Sequence, residues 1–327
     1  MVDVSRRDFI RGLAFLAVGA ALSSPIEVKA ASQEEVPKLP WPYVELDPEH
    51  VRKLGHLGYY AFECSAGAFW AIMVSLKEKV GYPYTLLPIP SVEEVQKAVD
   101  EGEEILAMMQ FGGGGAFSWA SLCGALNGAG LAINMVTHNY KKVGQRLFRW
   151  YETFPFPSDV SNELASNHQF LVKKYKSDKV LPQSVSHSVL CHVSVSRWCV
   201  ASGYASGSKE RSERCGRLTG DVAAMAVKLL NADLKGNLDE VFKFTLTPTT
   251  AECRTCHYKG KNYEAGQFSR GFMVCESCHK DMRPHASSIV PIGSKEKGDT
   301  SLVLSGAGAS AAVGVVAGLW SYAKKKG

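Results

Sequence analysis

The sequence predicts a mainly α-helical protein: a helical, cysteine-rich body, then a small irregular segment, then a C-terminal stretch that can form a transmembrane helix. Three observations carry this expectation. Apolar residues in the body recur at helical rather than alternating spacing, and no runs of β-branched residues separated by turns occur. Nine cysteines fall into two groups, five dispersed through the body and four in two Cys-x-x-Cys pairs. Residues 300–323 contain no charged side chain.

The helices can be placed in order. Residues 57–80 suit a buried helix stopped by Gly81 and Pro83. Ser91-Val92-Glu93-Glu94 is a capping box that opens a short amphipathic helix. Further helices are expected at 116–136, 159–175 and 212–234. The run Gly112-Gly113-Gly114-Gly115 lacks the Gly-Lys-Ser/Thr of a phosphate loop. Close backbone packing, beside a cofactor, is the expected use. No Ser/His/Asp arrangement for nucleophilic catalysis is found.

Length and charge narrow the classes. The 327 residues are 46% apolar, enough for a large core. The formal charge of +5 is concentrated at the ends, because residues 1–30 carry +1 and Lys324–Lys326 carry +3. The body is left with about +1, which gives no electrostatic footprint for nucleic acid. Five cysteines outside the pairs (Cys64, Cys123, Cys191, Cys199 and Cys215) are an odd remainder. That argues against a pure disulfide framework and for ligation of a metal or cofactor.

Both ends read as address labels. Ser5-Arg6-Arg7-Asp8-Phe9-Ile10-Arg11, the uncharged stretch 12–22 and Val28-Lys29-Ala30 make a twin-arginine export signal over residues 1–30. A short amphipathic first helix is the competing reading. At the other end, 300–323 is long enough to cross a hydrocarbon core, with Trp320 and Tyr322 at the interface before the lysines. Gly306, Ser310, Gly314 and Gly318 form a small-residue stripe suited to helix packing. A flexible Gly/Ala-rich tail is the alternative to a membrane anchor.

The chemistry is concentrated in Cys253-Arg254-Thr255-Cys256-His257 and Cys275-Glu276-Ser277-Cys278-His279. Two cysteines three residues apart can form thioethers to both vinyl groups of one haem, while the adjacent imidazole ligates the iron. Cys253, Cys256, Cys275 and Cys278 are thus expected thioether residues, and His257 and His279 expected iron ligands, for two haem c groups. The eighteen residues between the pairs also match a zinc ribbon. A ribbon does not require histidine after both pairs, and export favours haem. His285, His192 and His187 are candidates for the distal positions, with the choice left open.

These residues resemble the split-Soret cytochrome c family of dihaem proteins. The paired motifs carry the likeness, together with Cys191-His192-Val193-Ser194-Val195-Ser196-Arg197-Trp198-Cys199 and Glu213-Arg214-Cys215. The body is also similar to the wider C-GCAxxG-C-C family. Glu63-Cys64 opens that pattern, Cys123-Gly124-Ala125-Leu126-Asn127-Gly128-Ala129 supplies its centre, and Cys191 and Cys215 are the later cysteines. Leu122 departs from the glycine frequent before the central cysteine. The resemblance spans about residues 49–292 and excludes the C-terminal tail. It implies a homodimer with bis-histidine haems gathered so closely that their Soret band splits. It also implies an iron–sulfur centre on Cys64, Cys123, Cys191 and Cys215, with Cys199 as surplus or substitute. Twin-arginine export of an already folded domain agrees with a centre loaded in the cytoplasm.

The expected organisation is a signal at 1–30, an extended lead-in at 31–48, a helical domain at 49–245, a dihaem segment at 246–292 and an anchor at 300–323. The expected function is electron transfer between redox partner proteins in the periplasm. A haem-dependent oxyanion reductase and a structural zinc module are the alternatives.

Overall fold

The computed structural model describes residues 36–279. The chain divides into two compact units, Met1–Leu246 and Thr247–Gly327. The export signal, His285 and the C-terminal apolar stretch lie outside the described residues. Among the described helices none is long and apolar enough to cross a membrane.

The first unit is helical, as its spacing predicts. Residues 36–47 hold no helix, and Trp41 and Leu46 are buried along this lead-in. Helix α1 (Pro48–Val80) starts at Asp47, whose side chain accepts from the Glu49 amide, with Pro48 in the first turn. It begins nine residues before the expected 57, because Val51, Leu54 and Leu57 already form a buried i, i+3 row. The helix breaks at Glu63, whose φ of 65° and ψ of −171° reverse the chain. The two arms meet at Gly58 and Gly67, where a Cβ on Gly58 would lie 2.8 Å from the Gly67 Cα. Only glycine permits that approach.

Helix α2 (Val92–Glu101) carries the expected capping box: Ser91 Oγ accepts from the Glu94 amide at 3.2 Å, and Glu94 accepts from the Ser91 amide at 2.6 Å. Helix α3 (Gly124–Val136) is shorter than the expected 116–136. Gly114, Gly115, Ala116, Phe117 and Ser118 all have positive φ, so the chain there forms a left-handed turn. Helix α4 (Tyr140–Thr153) was not anticipated, although its buried Val143, Leu147, Trp150 and Tyr151 are amphipathic in spacing. A two-residue strand pair follows, β1 (Pro155–Phe156) against β2 (Ser184–Val185), antiparallel. Between them α5 (Asp159–Ser166) ends at Asn167, short of the expected 175. His168 there turns left-handed at φ 53°. The chain from Ser177 to Leu181, which leads to β2, is held by side chains: Asn162 Nδ2 donates to the Leu181 carbonyl, and Arg217 to those of Ser177 and Lys179. Helices α6 (Cys191–Ser202), α7 (Lys209–Lys235) and α8 (Leu238–Val241) complete the unit.

Helix α1 packs chiefly on α7 and on α3, and this trio forms the core. Buried charges tie it together. Arg52 pairs with Asp221, which also accepts from Ser158 and Ser161. Glu213 accepts from His56 Nε2 at 2.9 Å and from Arg217 at 3.0 Å, and it bonds the Tyr60 hydroxyl. Burial alone would raise the Glu213 carboxyl, but His56, Tyr60 and Arg217 outweigh it and hold the pKa at about 2. A depressed carboxylate stabilises the fold above its unfolded pKa and loses that contribution as pH falls through the folded value. The window is therefore about pH 4.5 down to about 2, and the contribution is on the order of 3 kcal/mol. Urea denaturation at pH 7 and pH 3 should give a smaller stability difference between the two pH values for Glu213→Gln than for the parent chain. An equal difference would remove Glu213 from the acid response.

The second unit is described over residues 247–279. Helix α9 (Pro248–His257) is capped by Thr247, and a 3-10 turn spans Cys275–Ser277. Tyr258 and Ser269 form an isolated parallel bridge.

Candidate redox site

The body cysteines arrive from four elements. Cys64 follows the Glu63 reversal, Cys123 caps α3, Cys191 opens α6 and Cys215 lies in the second turn of α7. The loops before α3 and α6 pair through Leu122 and Leu190. The Cys123 amide donates to the Val189 carbonyl at 2.9 Å, and the Cys191 amide to that of Ser121 at 2.7 Å. Two helix N-termini are thereby set side by side at the thiols, a placement that favours thiolate.

The four thiols act on one another. Burial raises the Cys64 pKa most, and Cys123, Cys215 and Cys191 add to it. Burial, Cys123 and Cys215 push Cys191 up to about 12. Cys199 is shifted up by burial and, of the other thiols, by Cys215 alone. Burial holds Cys64 and Cys123 toward the neutral thiol, and a bound metal would deprotonate them. No group of three or more His, Cys, Asp or Glu side chains is drawn into metal-ligand geometry among the described residues.

Two features fit a thiolate-bound centre. A Cβ on Gly124 would lie 2.4 Å from Cys64 Sγ and 2.6 Å from the Gly112 carbonyl, so the glycine lets α3 approach the thiol. The expected close packing of the glycine run is seen here too, with Gly112 against Ser65 and Gly113 against Glu63. The second feature is Arg214, 1% exposed on α7. Its Nη2 donates to Ser194 Oγ at 2.9 Å, its Nε has no hydrogen-bond partner, and no carboxylate pairs with it among the described residues. A buried guanidinium without an anion is costly. Thiolates at Cys191 would supply that anion, since Arg214 lowers the Cys191 pKa. The Tyr151 hydroxyl donates to the same Ser194 at 2.9 Å, and burial raises the Cys123 thiol against a lowering influence of the neighbouring Tyr151. Sequence reasoning missed Arg214, Tyr151 and Ser194 as a set, because nothing in spacing relates α4, α6 and α7.

The second unit presents both Cys-x-x-Cys-His motifs. Cys253 and Cys256 lie one turn apart on α9, which ends at His257. The spacing i, i+3 puts both thiols on one helix face. His257 Nδ1 is 3.1 Å from the Gly266 carbonyl, an acceptor, so Nδ1 carries the proton and Nε2 the lone pair. The second motif is tied to the first by Thr250, whose Oγ1 accepts from the Cys275 amide and donates to Glu276, each at 3.2 Å. The His279 amide donates to the Cys275 carbonyl at 2.9 Å. Only Thr250 and Val274 are buried among 247–279, while Tyr263, Phe268, Phe272 and Met273 are exposed. So thin a core suits a segment built around a large apolar group.

The distal candidates are spread out. His187 sits exposed at φ 49°, its amide donating to the Glu152 carbonyl, and His192 is exposed in the first turn of α6. The buried His56 stacks on Phe170 at 3.8 Å and serves the core.

A helical body lined with mutually coupled thiols, followed by a unit carrying two Cys-x-x-Cys-His motifs, defines a redox protein of the c-type cytochrome class. Residues 91–229 match a family described as "Putative redox-active protein (C_GCAxxG_C_C)", a span that includes Cys123, Cys191, Cys199 and Cys215 and begins after Cys64. The split-Soret cytochrome c of Desulfovibrio desulfuricans is 32% identical over 294 residues, covering 85% of this chain and 95% of that one. A solved structure concerning a novel iron centre in the split-Soret cytochrome c of that organism is 31% identical, with a TM-score of 0.57 over 77% of this chain and 95% of its own. The chain belongs to the split-Soret cytochrome c family.

Proposed function

We propose that this protein is a periplasmic dihaem c-type cytochrome that carries electrons between redox partner proteins. The observation that carries the reading is the second unit, where two Cys-x-x-Cys-His motifs are linked through Thr250 within a segment almost without a core. Cys253 and Cys256 would hold one haem with His257 on its iron, and Cys275 and Cys278 the other with His279. Haem supplies one-electron chemistry at each position. The protein's part is to fix the His257 tautomer through Gly266 and to hold the motifs together. His285, His192 and His187 are the distal candidates.

The body cysteines Cys64, Cys123, Cys191 and Cys215 would hold an iron–sulfur centre, with Cys199 as the reserve ligand. The coupled thiols and the unpaired Arg214 support this, and the relative's novel iron centre agrees with it. The export signal at 1–30 supports the periplasmic placement and the apolar stretch at 300–323 a membrane anchor. The family resemblance supports a homodimer.

The test is the visible spectrum of the mature protein, oxidised and dithionite-reduced, with a pyridine haemochrome assay. Two covalent haems per chain and a divided reduced Soret band are expected. A chain without haem would transfer the four paired cysteines to zinc and end the cytochrome reading.

A further inference from the structure

Alongside the thiol site, the first unit contains a cavity of about 880 Å³ whose lining includes Tyr59, Tyr60, Glu63, Phe117, Lys176 and Arg211. None of the nine cysteines lines it, yet it adjoins them. Cys215 acts electrostatically on Arg211, Tyr59 is acted on by Cys215 and Cys64, and Glu63 precedes Cys64 in the chain.

One side of the cavity is cationic. Lys176 Nζ lies over the Tyr59 ring at 4.7 Å and the Tyr60 ring at 4.5 Å. Arg211 Nε donates to the Ser206 carbonyl. Neither cation is in an ion pair with a carboxylate among the described residues, whereas nearby Lys173 and Lys179 are paired with Asp100 and Glu210. Glu63 is the one carboxylate in the lining, against two cations. A half-buried, half-compensated pair of positive groups is a receptor for negative charge.

The other side is apolar and held out at a cost. Phe111 and Phe117 are 47% and 75% exposed, with ring centroids 5.9 Å apart. Phe117 lies in the left-handed turn, where Ala116, Phe117 and Ser118 have φ of 62°, 46° and 63°. L-residues with side chains adopt such angles rarely, and clusters of them mark functional loops. The turn is locked in place: the Ala120 amide donates to the Gly114 carbonyl at 2.9 Å, the Ser121 amide to that of Gly115 at 3.0 Å, and the His192 amide to that of Ala120 at 3.0 Å. The strain holds apolar rings beside two cations, where they bury little of their own surface.

We propose that this cavity binds a small organic carboxylate with an apolar body, the carboxylate between Lys176 and Arg211 and the body against Phe111 and Phe117. An inorganic anion would leave the phenylalanines unused, and a neutral apolar molecule would leave the cations uncompensated. The occupant would share Arg211 with Cys215, so the site adjoins the thiols without using them as ligands. The inference rests on the cavity, not on the electron-carrier reading.

The probe is benzoate, titrated into the purified full-length protein by calorimetry after its haem and iron contents have been measured separately. One saturable site per chain is expected. Lys176→Gln should weaken it about tenfold, the loss of a charge-assisted contact. Phe117→Ala, at a side chain 75% exposed, should weaken it about fivefold through lost apolar contact. Benzyl alcohol, of similar shape without the charge, should bind far more weakly. Absence of benzoate binding up to about 10 mM, equal binding by the Lys176→Gln protein, or displacement of benzoate by sulfate at equal concentration would each overturn the assignment.

Discussion

Replacing both Cys253 and Cys256 by alanine is expected to lower covalent haem from two groups per chain to one and to merge the divided reduced Soret band into one. The first loss follows from chemistry. Both thioethers to one haem are removed, and His257 alone cannot retain it through purification. The second follows from geometry, since a split band requires two neighbouring chromophores. The change is local: Cys256 is exposed at the end of α9 and Cys253 is only half-buried, so neither anchors a core. Thr250, which carries the second motif, lies in the first turn of the same helix and keeps its bonds to Cys275 and Glu276. The pyridine haemochrome assay reads the count directly. An unchanged haem content would place attachment elsewhere. A variant that loses stoichiometric zinc instead, measured by elemental analysis, would establish the ribbon reading.

Arg214→Met should lower the reduction potential of the centre on the body cysteines by on the order of 100 mV. Loss of one buried charge–charge contact is worth roughly 2–3 kcal/mol, which corresponds to that shift at about 59 mV per 1.36 kcal/mol for one electron. The sign comes from charge: a thiolate-ligated centre gains negative charge on reduction, and Arg214 is a buried cation beside Cys191 with only Ser194 as its hydrogen-bond partner among the described side chains. Methionine keeps most of the volume and removes the charge, a replacement that buried ionic sites tolerate structurally. Redox titration followed by electron paramagnetic resonance gives the potential, and Arg214→Lys should restore part of it. A potential that stays the same or rises would mean that Arg214 does not compensate the thiolates. Should the body hold no iron at all, Arg214→Met would instead raise the thermal midpoint, because the guanidinium would be an uncompensated buried charge.

The two C-terminal Cys-x-x-Cys-His motifs were legible because their chemistry is local. A haem attachment motif is a few consecutive residues, and its two thiols and imidazole need no other part of the chain to be recognised. The mainly helical class was legible for a similar reason, since apolar spacing is a property of neighbouring residues. Ser91 and Glu94 form their capping box as the spacing predicts. Helix α4 carries the same local signal in Val143, Leu147, Trp150 and Tyr151.

The errors have a common cause. Residues 116–123 continue an apolar pattern, yet the backbone turns left-handed there, because the loop must place the Ala120 and Ser121 carbonyls under the amides of α6. The helix ends at Asn167, where His168 turns left-handed and the Phe170 amide donates to the Tyr175 hydroxyl; beyond it, Lys176 and Ser177 bond Tyr60 and Arg217, which lie far away in sequence. The Glu63 reversal, likewise, is set by the contact of Gly58 with Gly67 and by the packing of the first arm on α7, where Gly55 meets Gly220.

The sequence by itself determined the helical class, the presence of two Cys-x-x-Cys-His motifs, and the cysteines available to a second centre. Only the tertiary structure decided which elements carry those cysteines toward one another, that Arg214 and Tyr151 attend them, and that a cationic, aromatic cavity opens beside them. The physical reason is range. Periodicity and motif chemistry act over a few residues, whereas thiol proximity and charge burial depend on helices separated by up to 150 residues that meet only once the chain reverses at Glu63 and packs on α7.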